Sequence, residues 1–188
     1  MPSLYFVDCN ILQFARIIRK SPDTVRYLHS IGVIHSPIRI FDALRDYFRY
    51  LPPWERTSQL HQIVAGLKLP PLPKINVGKL TNCFTISRNI QQVSLIRSVL
   101  KILNRITDAD LTVEIKSATE HLQQLQDLLC VERAFLYHKI RRSHLPANVE
   151  SVLLERYCNC CLWWEVADNL SYSLSHVKRL GLFLLAQG

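Results

Sequence analysis

Glycine is scarce in this chain, with five in 188 residues, and none forms a phosphate-cradling loop. The H-E-x-x-H helix of zinc hydrolases and the G-x-S-x-G nucleophile turn are also missing. His121, His138 and His144 stand apart from any partner at useful spacing. These gaps argue against an enzyme, so no catalytic residue and no cofactor is assigned. No apolar run is long enough to span a bilayer, which argues against a membrane partner. The opening MPSLYFVDCN has no basic segment and carries Asp8, so no secretory signal is expected. The expected location is cytoplasmic, with the six cysteines as reduced thiols. Cys158-Asn159-Cys160-Cys161 contains a C-x-x-C pair, but no second pair of matching spacing completes a zinc site. Further ligands for Cys158 and Cys161 would have to come from Cys130, His144 or elsewhere. Small buried thiols are expected instead, and no metal is assigned. Acidic residues are absent from 57–106, which holds seven Lys or Arg. Residues 107–140 reverse the balance, with six acidic and three basic side chains.

What is present suits a globular chain. Hydrophobic residues make up 48% and charged residues 20%, so a proper core can form, in one domain or two small ones. The formal charge is +8 and the pI about 9.4, which leans towards a polyanionic partner. The basic middle segment is expected to face phosphate and the acidic segment after it to face elsewhere.

One pattern occurs twice. Phe14-Ala15, Ile18, Ser21, Val25 and Leu28 recur 152 positions on as Val166-Ala167, Leu170, Ser173, Val177 and Leu180. A helix-turn-helix needs this spacing. The first helix brings apolar, small and apolar residues to its inner face. A tight turn follows, and a serine caps a second helix with apolar residues four and seven positions later. The alanine is small because the second helix crosses close over the first.

In chain order, Leu4 to Val7 reads as a short strand or lead-in. Asp8 or Asn10 caps a helix to about Lys20. Ser21-Pro22-Asp23 is a strong helix start: cap, first-turn proline and an acid at the positive end of the dipole. Gly32 ends that second helix, predicted over 22–31. Val33-Ile34, His35-Ser36-Pro37 and Ile38-Arg39-Ile40 read as a β-hairpin wing. Asp42 then caps a helix over 43–51. Ser21-Pro22-Asp23-Thr24-Val25-Arg26-Tyr27 followed by Gly32-Val33-Ile34 resembles the winged helix-turn-helix of MerR-type regulators. With the helix Asp42-Ala43-Leu44 through Tyr50-Leu51, it is also similar to the N-terminal domain of phage terminase small subunits.

Pro52-Pro53 and Leu69-Pro70-Pro71-Leu72-Pro73 bound a basic linker over 52–81, with one short helix at 58–67. From Ile86 to Ile106 the apolar residues Ile86, Ile90, Val93, Ile96, Leu100 and Leu103 step by four and three. Thr107 with Asp110 reads as a capping box for a helix carrying Leu111, Ile115, Ala118, Leu122, Leu125 and Leu129. The two helices read as an antiparallel hairpin, or as coiled-coil seams pairing a homodimer through 86–140. Arg141 to Pro146 breaks the second helix. Another opens at Ala147 or Asn148.

The last segment predicts helices over 163–170 and 174–185. Leu154-Glu155-Arg156-Tyr157, Trp163, Val166-Ala167, Leu170, Tyr172-Ser173 and His176-Val177-Lys178-Arg179-Leu180 resemble the C-terminal domain of ArpU-type phage transcriptional regulators, a domain similar to region four of bacterial sigma factors. The family has glycine in the turn before the tryptophan, where this chain has Cys160. Gly181 inside the last helix is a second departure, expected to fray the tail. The apolar run 182–185 is expected to close that domain's core.

The fold class expected is all-α: two helix-turn-helix units, the first with a small β wing, joined by a Pro-rich linker and a helical hairpin. The corresponding domains are 1–51, 52–81, 82–142 and 143–188. In the first unit Thr24, Arg26 and Tyr27 are the candidate DNA contacts, with Arg39 on the wing for phosphate. In the second they are Ser175, His176, Lys178 and Arg179. Lys and Arg suit guanine edges and phosphates, and Ser and His donate to either. The plain alternative is a solvated helix face. The resemblance implies a phage or prophage regulator that binds double-stranded DNA and acts on RNA polymerase. A DNA-packaging subunit and an all-helical protein-interaction scaffold are the alternatives.

Overall fold

The structure is a computed structural model that describes residues 8–74 and 79–182. The lead-in at 4–7 and most of the apolar tail at 182–185 therefore lie outside the described residues. Among the described residues the fold is mainly helical, with nine α-helices and one two-stranded antiparallel sheet, in keeping with the all-α expectation. None of these helices is long and apolar enough to cross a membrane. The chain divides into two compact units, Met1–Pro70 with Gln92–His121, and Pro71–Gln91 with Leu122–Gly188.

The first unit opens with β1 (Asp8–Cys9), α1 (Ile11–Ile18) and α2 (Pro22–Ser30). Asn10, rather than Asp8, caps α1, and it exchanges hydrogen bonds with Gln13 in a complete capping box. Gly32, at φ +74°, turns the chain out of α2. The expected hairpin between 33–34 and 38–40 does not form. The N–H groups of Val33 and Ile34 both go back to the Leu28 carbonyl, at 2.9 and 3.3 Å, so this stretch finishes α2. β2 (Ile38–Arg39) pairs instead with β1, Asp8 opposite Arg39 and Cys9 opposite Ile38.

Helix α3 (Ile40–Tyr50) begins before the expected 43, with Arg39 at its cap position and no side-chain cap. Asp42 lies in its first turn and meets Arg45 at 3.2 Å. Pro53 starts a further helix, α4 (Pro53–Gly66), which takes in the short helix expected at 58–67 and begins before it, where linker was expected. Proline suits a first helical turn, since its missing N–H has no partner to lose there. α4 belongs to the core: Leu60 and Ile63 are buried, and Gln59, only 4% exposed, donates Nε2–H to the Ile18 carbonyl at 2.7 Å. Arg56 reaches back to the Leu51 and Arg49 carbonyls at the end of α3. The core is completed by Ile96, Val99, Leu100 and Leu103 of α5 (Asn82–Ile106) and by Leu111 and Ala118 around the start of α6 (Thr112–Arg142). Thr107 does not cap α6. Its hydroxyl bonds the Leu103 carbonyl at 2.7 Å, and Asp110 accepts from the Thr112 N–H and hydroxyl.

The second unit uses the other ends of α5 and α6. Cys83 on α5 and Leu136 and Ile140 on α6 share a core with Val149 and Leu153 of α7 (Ala147–Leu153) and with Tyr157. α7 runs into a π-helical turn, Leu154–Cys158, followed by α8 (Trp163–Leu170) and α9 (Leu174–Leu182). Val152, Val166, Ala167 and Val177 form a smaller core between α7, α8 and α9.

Gly181 lies within α9, and the tail that it was expected to fray is outside the described residues. A Cβ there would overlap Cη2 of Trp163, so the missing side chain is what lets the indole pack on the helix. Gly181→Ala is expected to destabilise the protein by about 1–3 kcal/mol, the usual cost of overpacking. At Gly66 the nearest obstacle is the flexible Arg19 side chain, so Gly66→Ala is expected to cost little. Urea denaturation followed by tryptophan fluorescence measures the contrast.

Candidate nucleic-acid interface

The doubled pattern of the sequence has a doubled backbone. α1 ends at Arg19 with φ 57° and ψ 38°, the left-handed conformation. The N–H of Arg19 goes to the Arg16 carbonyl at 3.4 Å and that of Lys20 to the Ala15 carbonyl at 3.0 Å. Together these make a Schellman close. α8 ends at Ser171 with φ 55° and ψ 41°. Ser171 bonds Asp168 at 3.2 Å, and Tyr172 bonds Ala167 at 2.9 Å. All four donor and acceptor positions are shifted by 152 residues. The following helices start alike as well. Ser21 Oγ accepts from the Thr24 N–H at 3.1 Å, and Ser173 Oγ from the His176 N–H at 3.3 Å. The first helices also match at their starts: Asn10 N–H reaches Gln13, and Leu162 N–H reaches Glu165. Leucine has no side-chain acceptor, so the second copy keeps only this reverse half of the capping box.

Burial follows the same register. Phe14, Ala15, Ile18, Val25 and Leu28 are buried in the first pair. Val166, Ala167 and Val177 are buried in the second, with Leu170 and Leu180 packed against them. Fully burying one Val or Leu is worth roughly 1.5–3 kcal/mol, so these contacts hold each second helix in place.

Cys160, in the turn before α8, has φ 58°. A cysteine thus occupies the left-handed conformation that a glycine would adopt with less strain. The turn around it is clamped by Arg156. Its guanidinium lies 4.2 Å from the Phe84 ring centroid and 4.7 Å from that of Trp163, and it donates to the Cys161 carbonyl at 2.6 Å.

The candidate contact residues fall as follows. On α2, Arg26 and Tyr27 are exposed, Tyr27 by 56%, while Thr24 is half-buried with its hydroxyl 3.0 Å from Ser21 Oγ. Arg26 is paired with Asp23, both well exposed. Exposed pairs of this kind are worth about 0–1 kcal/mol, so the pair gives way easily to a phosphate. Arg39 is exposed on β2. On α9, Ser175, Lys178 and Arg179 are exposed and His176 is half-buried. Arg179 donates to His176 Nδ1 at 3.0 Å, which places the neutral ring's proton on Nε2. The His176 ring stands edge-on to Tyr172, with centroids 5.1 Å apart. Ser175 Oγ lies 3.2 Å from Ser173 Oγ. Thr24, Arg26, Ser175, His176 and Arg179 are thus each held by a neighbour on their own helix or turn. Arg26 and Tyr27 share the surface of α2, and Ser175, Lys178 and Arg179 that of α9.

One basic surface has no counterpart among the sequence expectations. In the first unit, Arg45, Arg49, Arg56 and Arg105 line a cleft of about 400 Å³ with Phe41 and Phe48. Asp46 holds Arg45 at 2.9 Å and lies 3.9 Å from Arg49. The four-residue step from Arg45 to Arg49 is visible in the sequence. Arg56 and Arg105 join them only through α4 and α5. Trp54, 79% exposed at the start of α4, is likewise hidden from sequence reasoning inside the supposed linker.

No protein-family model, curated protein or solved structure matches this chain.

A direct check of the turn is available at Ser171. A non-glycine residue in the left-handed region carries roughly 1–2 kcal/mol of strain, and glycine removes it while adding freedom to the unfolded chain. Ser171→Gly is expected to raise stability by up to about 1 kcal/mol, read by thermal denaturation. A fall in stability would contradict the turn described.

Proposed function

We propose that the chain is a sequence-specific DNA-binding regulator of transcription, similar to the ArpU-type regulators of phages and prophages. The observation that carries this reading is the duplicated helix pair. Two unlinked stretches use the same serine cap, the same left-handed close and the same buried alanine to hold a short helix with a polar outer face. In this reading each pair is a helix-turn-helix, and α2 and α9 are its recognition helices. A solvated face alone would not require the supporting turn to be built twice.

Arg26 and Tyr27, with Thr24 at the helix start, face base edges from α2, and Arg39 meets phosphate from β2. Ser175, His176, Lys178 and Arg179 do so from α9. Phosphate contacts set register and base-edge contacts select sequence. The surplus of positive charge supports a polyanionic partner, as do the basic residues of α5, of which Arg88, Lys101 and Arg105 are exposed. Bound at a promoter, the protein would recruit or exclude RNA polymerase.

The double variant Lys178→Ala, Arg179→Ala removes two exposed cations and no buried side chain. It is expected to weaken binding to a selected duplex at least tenfold while leaving the melting temperature within about a degree. The log–log salt slope should become shallower by about one for each phosphate that the variant no longer neutralises. Binding is measured by fluorescence anisotropy on a duplex selected from random sequence, at several salt concentrations. Unchanged affinity would remove α9 from the interface, and failure to select any duplex would remove the DNA reading altogether.

A further inference from the structure

Cys160 has a use that neither its strained backbone nor the DNA reading explains. On α5, Cys83 and Ser87 are one helical turn apart and face the 158–161 turn. Cys83 is fully buried and Cys160 half-buried, and both belong to the same apolar cluster. Ser87 Oγ donates to Cys160 Sγ at 3.4 Å, and Cys83 lies one turn before Ser87 on the same side of α5. A donor aimed at a sulfur stabilises its thiolate. The Cys160 thiol is accordingly pushed down to about 6, first by the Cys83 hydrogen bond, then by Ser87 and the Arg133 charge, against the effect of burial. Cys83 moves up, since as the donor to Cys160 it holds its proton, and burial and the nearby Glu132 charge add to this. Cys158 and Cys161 move up as well, each to about 11, chiefly through burial.

We propose that Cys160 is a site of oxidative modification, attacked by a hydroperoxide and then closed as a disulfide with Cys83. Cys160 is the partner that solvent reaches, so the first step falls to it. Its thiolate attacks one peroxide oxygen. An S–O bond forms, the O–O bond breaks, and hydroxide or alkoxide leaves and takes a proton. The sulfur loses two electrons and the peroxide gains them, giving a sulfenic acid. The Cys83 sulfur then attacks the oxidised sulfur. An S–S bond forms and the S–O bond breaks, and the departing oxygen leaves as water with the Cys83 proton. The net reaction is two thiols and one hydroperoxide to one disulfide, one alcohol or water, and one further water. Both thiols lie in the second unit, and the bond would tie α5 to the turn that leads into α8. This proposal stands or falls independently of what α9 binds.

The test uses the full-length reduced protein, hydrogen peroxide as the oxidant, and alkylation and peptide mapping by mass spectrometry. The expected product is a Cys83–Cys160 linked peptide, two hydrogens lighter than the pair. Labelling of Cys160 by iodoacetamide should rise with a midpoint below pH 7. In Cys83→Ser the sulfenic acid has no resolving thiol, and a dimedone adduct should accumulate at Cys160. The wild-type map needs no variant, so a misfolded Cys83→Ser leaves the test intact. The proposal is overturned if Cys160 stays reduced at a dose that oxidises the exposed Cys130, or if it bridges to Cys158 or Cys161. A labelling midpoint at or above the ordinary thiol value of about 8.5 also overturns it.

Discussion

Lys20 and Tyr172 each return a backbone N–H to the carbonyl of an alanine five residues earlier. That bond closes off the first helix of each pair while its partner residue, Arg19 or Ser171, turns left-handed. The direction in which the next helix leaves depends on this close, and so does the face that helix turns outward. A bulkier residue at Ala15 or Ala167 would strain the packing of its pair, because both alanines are buried. The serine caps then set the start of α2 and α9 to within a residue. Hydrophobic burial supplies most of the energy, but the turn decides where that energy is spent.

The surroundings of the two pairs differ. In the first unit α4 packs against α1 and its Gln59 satisfies the Ile18 carbonyl, one of the acceptors that a helix end leaves unpaired. In the second, Arg156 is held between Phe84 and Trp163, and Trp163 packs on the bare backbone of Gly181. The arginine fixes the turn before α8, and the glycine admits the indole to α9. Cys160 sits in that same turn, which is why its strained conformation persists: the contacts on either side over-determine it. The proposed thiol chemistry and the proposed DNA surface therefore share a support without sharing residues.

Local signals are legible wherever the chain solves its own hydrogen bonding. Ser21-Pro22-Asp23 starts a helix in any context, and Gly32 ends one, so α2 lies within a residue of its expected limits. The expected 163–170 helix coincides with α8. Errors gather where the partner is distant in sequence. Local spacing pairs Ile38 and Arg39 with 33–34, but that stretch spends its N–H groups on Leu28, and the partner is β1. Pro52-Pro53 looks like the edge of a linker because proline stops a preceding helix. The same residues begin α4, whose weak apolar stripe is buried only because α1 lies against it. Gly181 looks like a flaw because Trp163 lies eighteen positions away.

The sequence by itself determined the helical class, the repeat at 152 positions, the serine caps of α2 and α9, and which residues of each short helix turn inward. These follow from periodicity and from hydrogen bonds closed within a few residues. Tertiary structure alone decided the strand partner of Arg39, the place of α4 in a core, the arginine cleft and the meeting of Cys83 with Cys160 on α5's buried side. Each of those depends on contacts between segments far apart in the chain, and no local spacing encodes which distant surface will arrive.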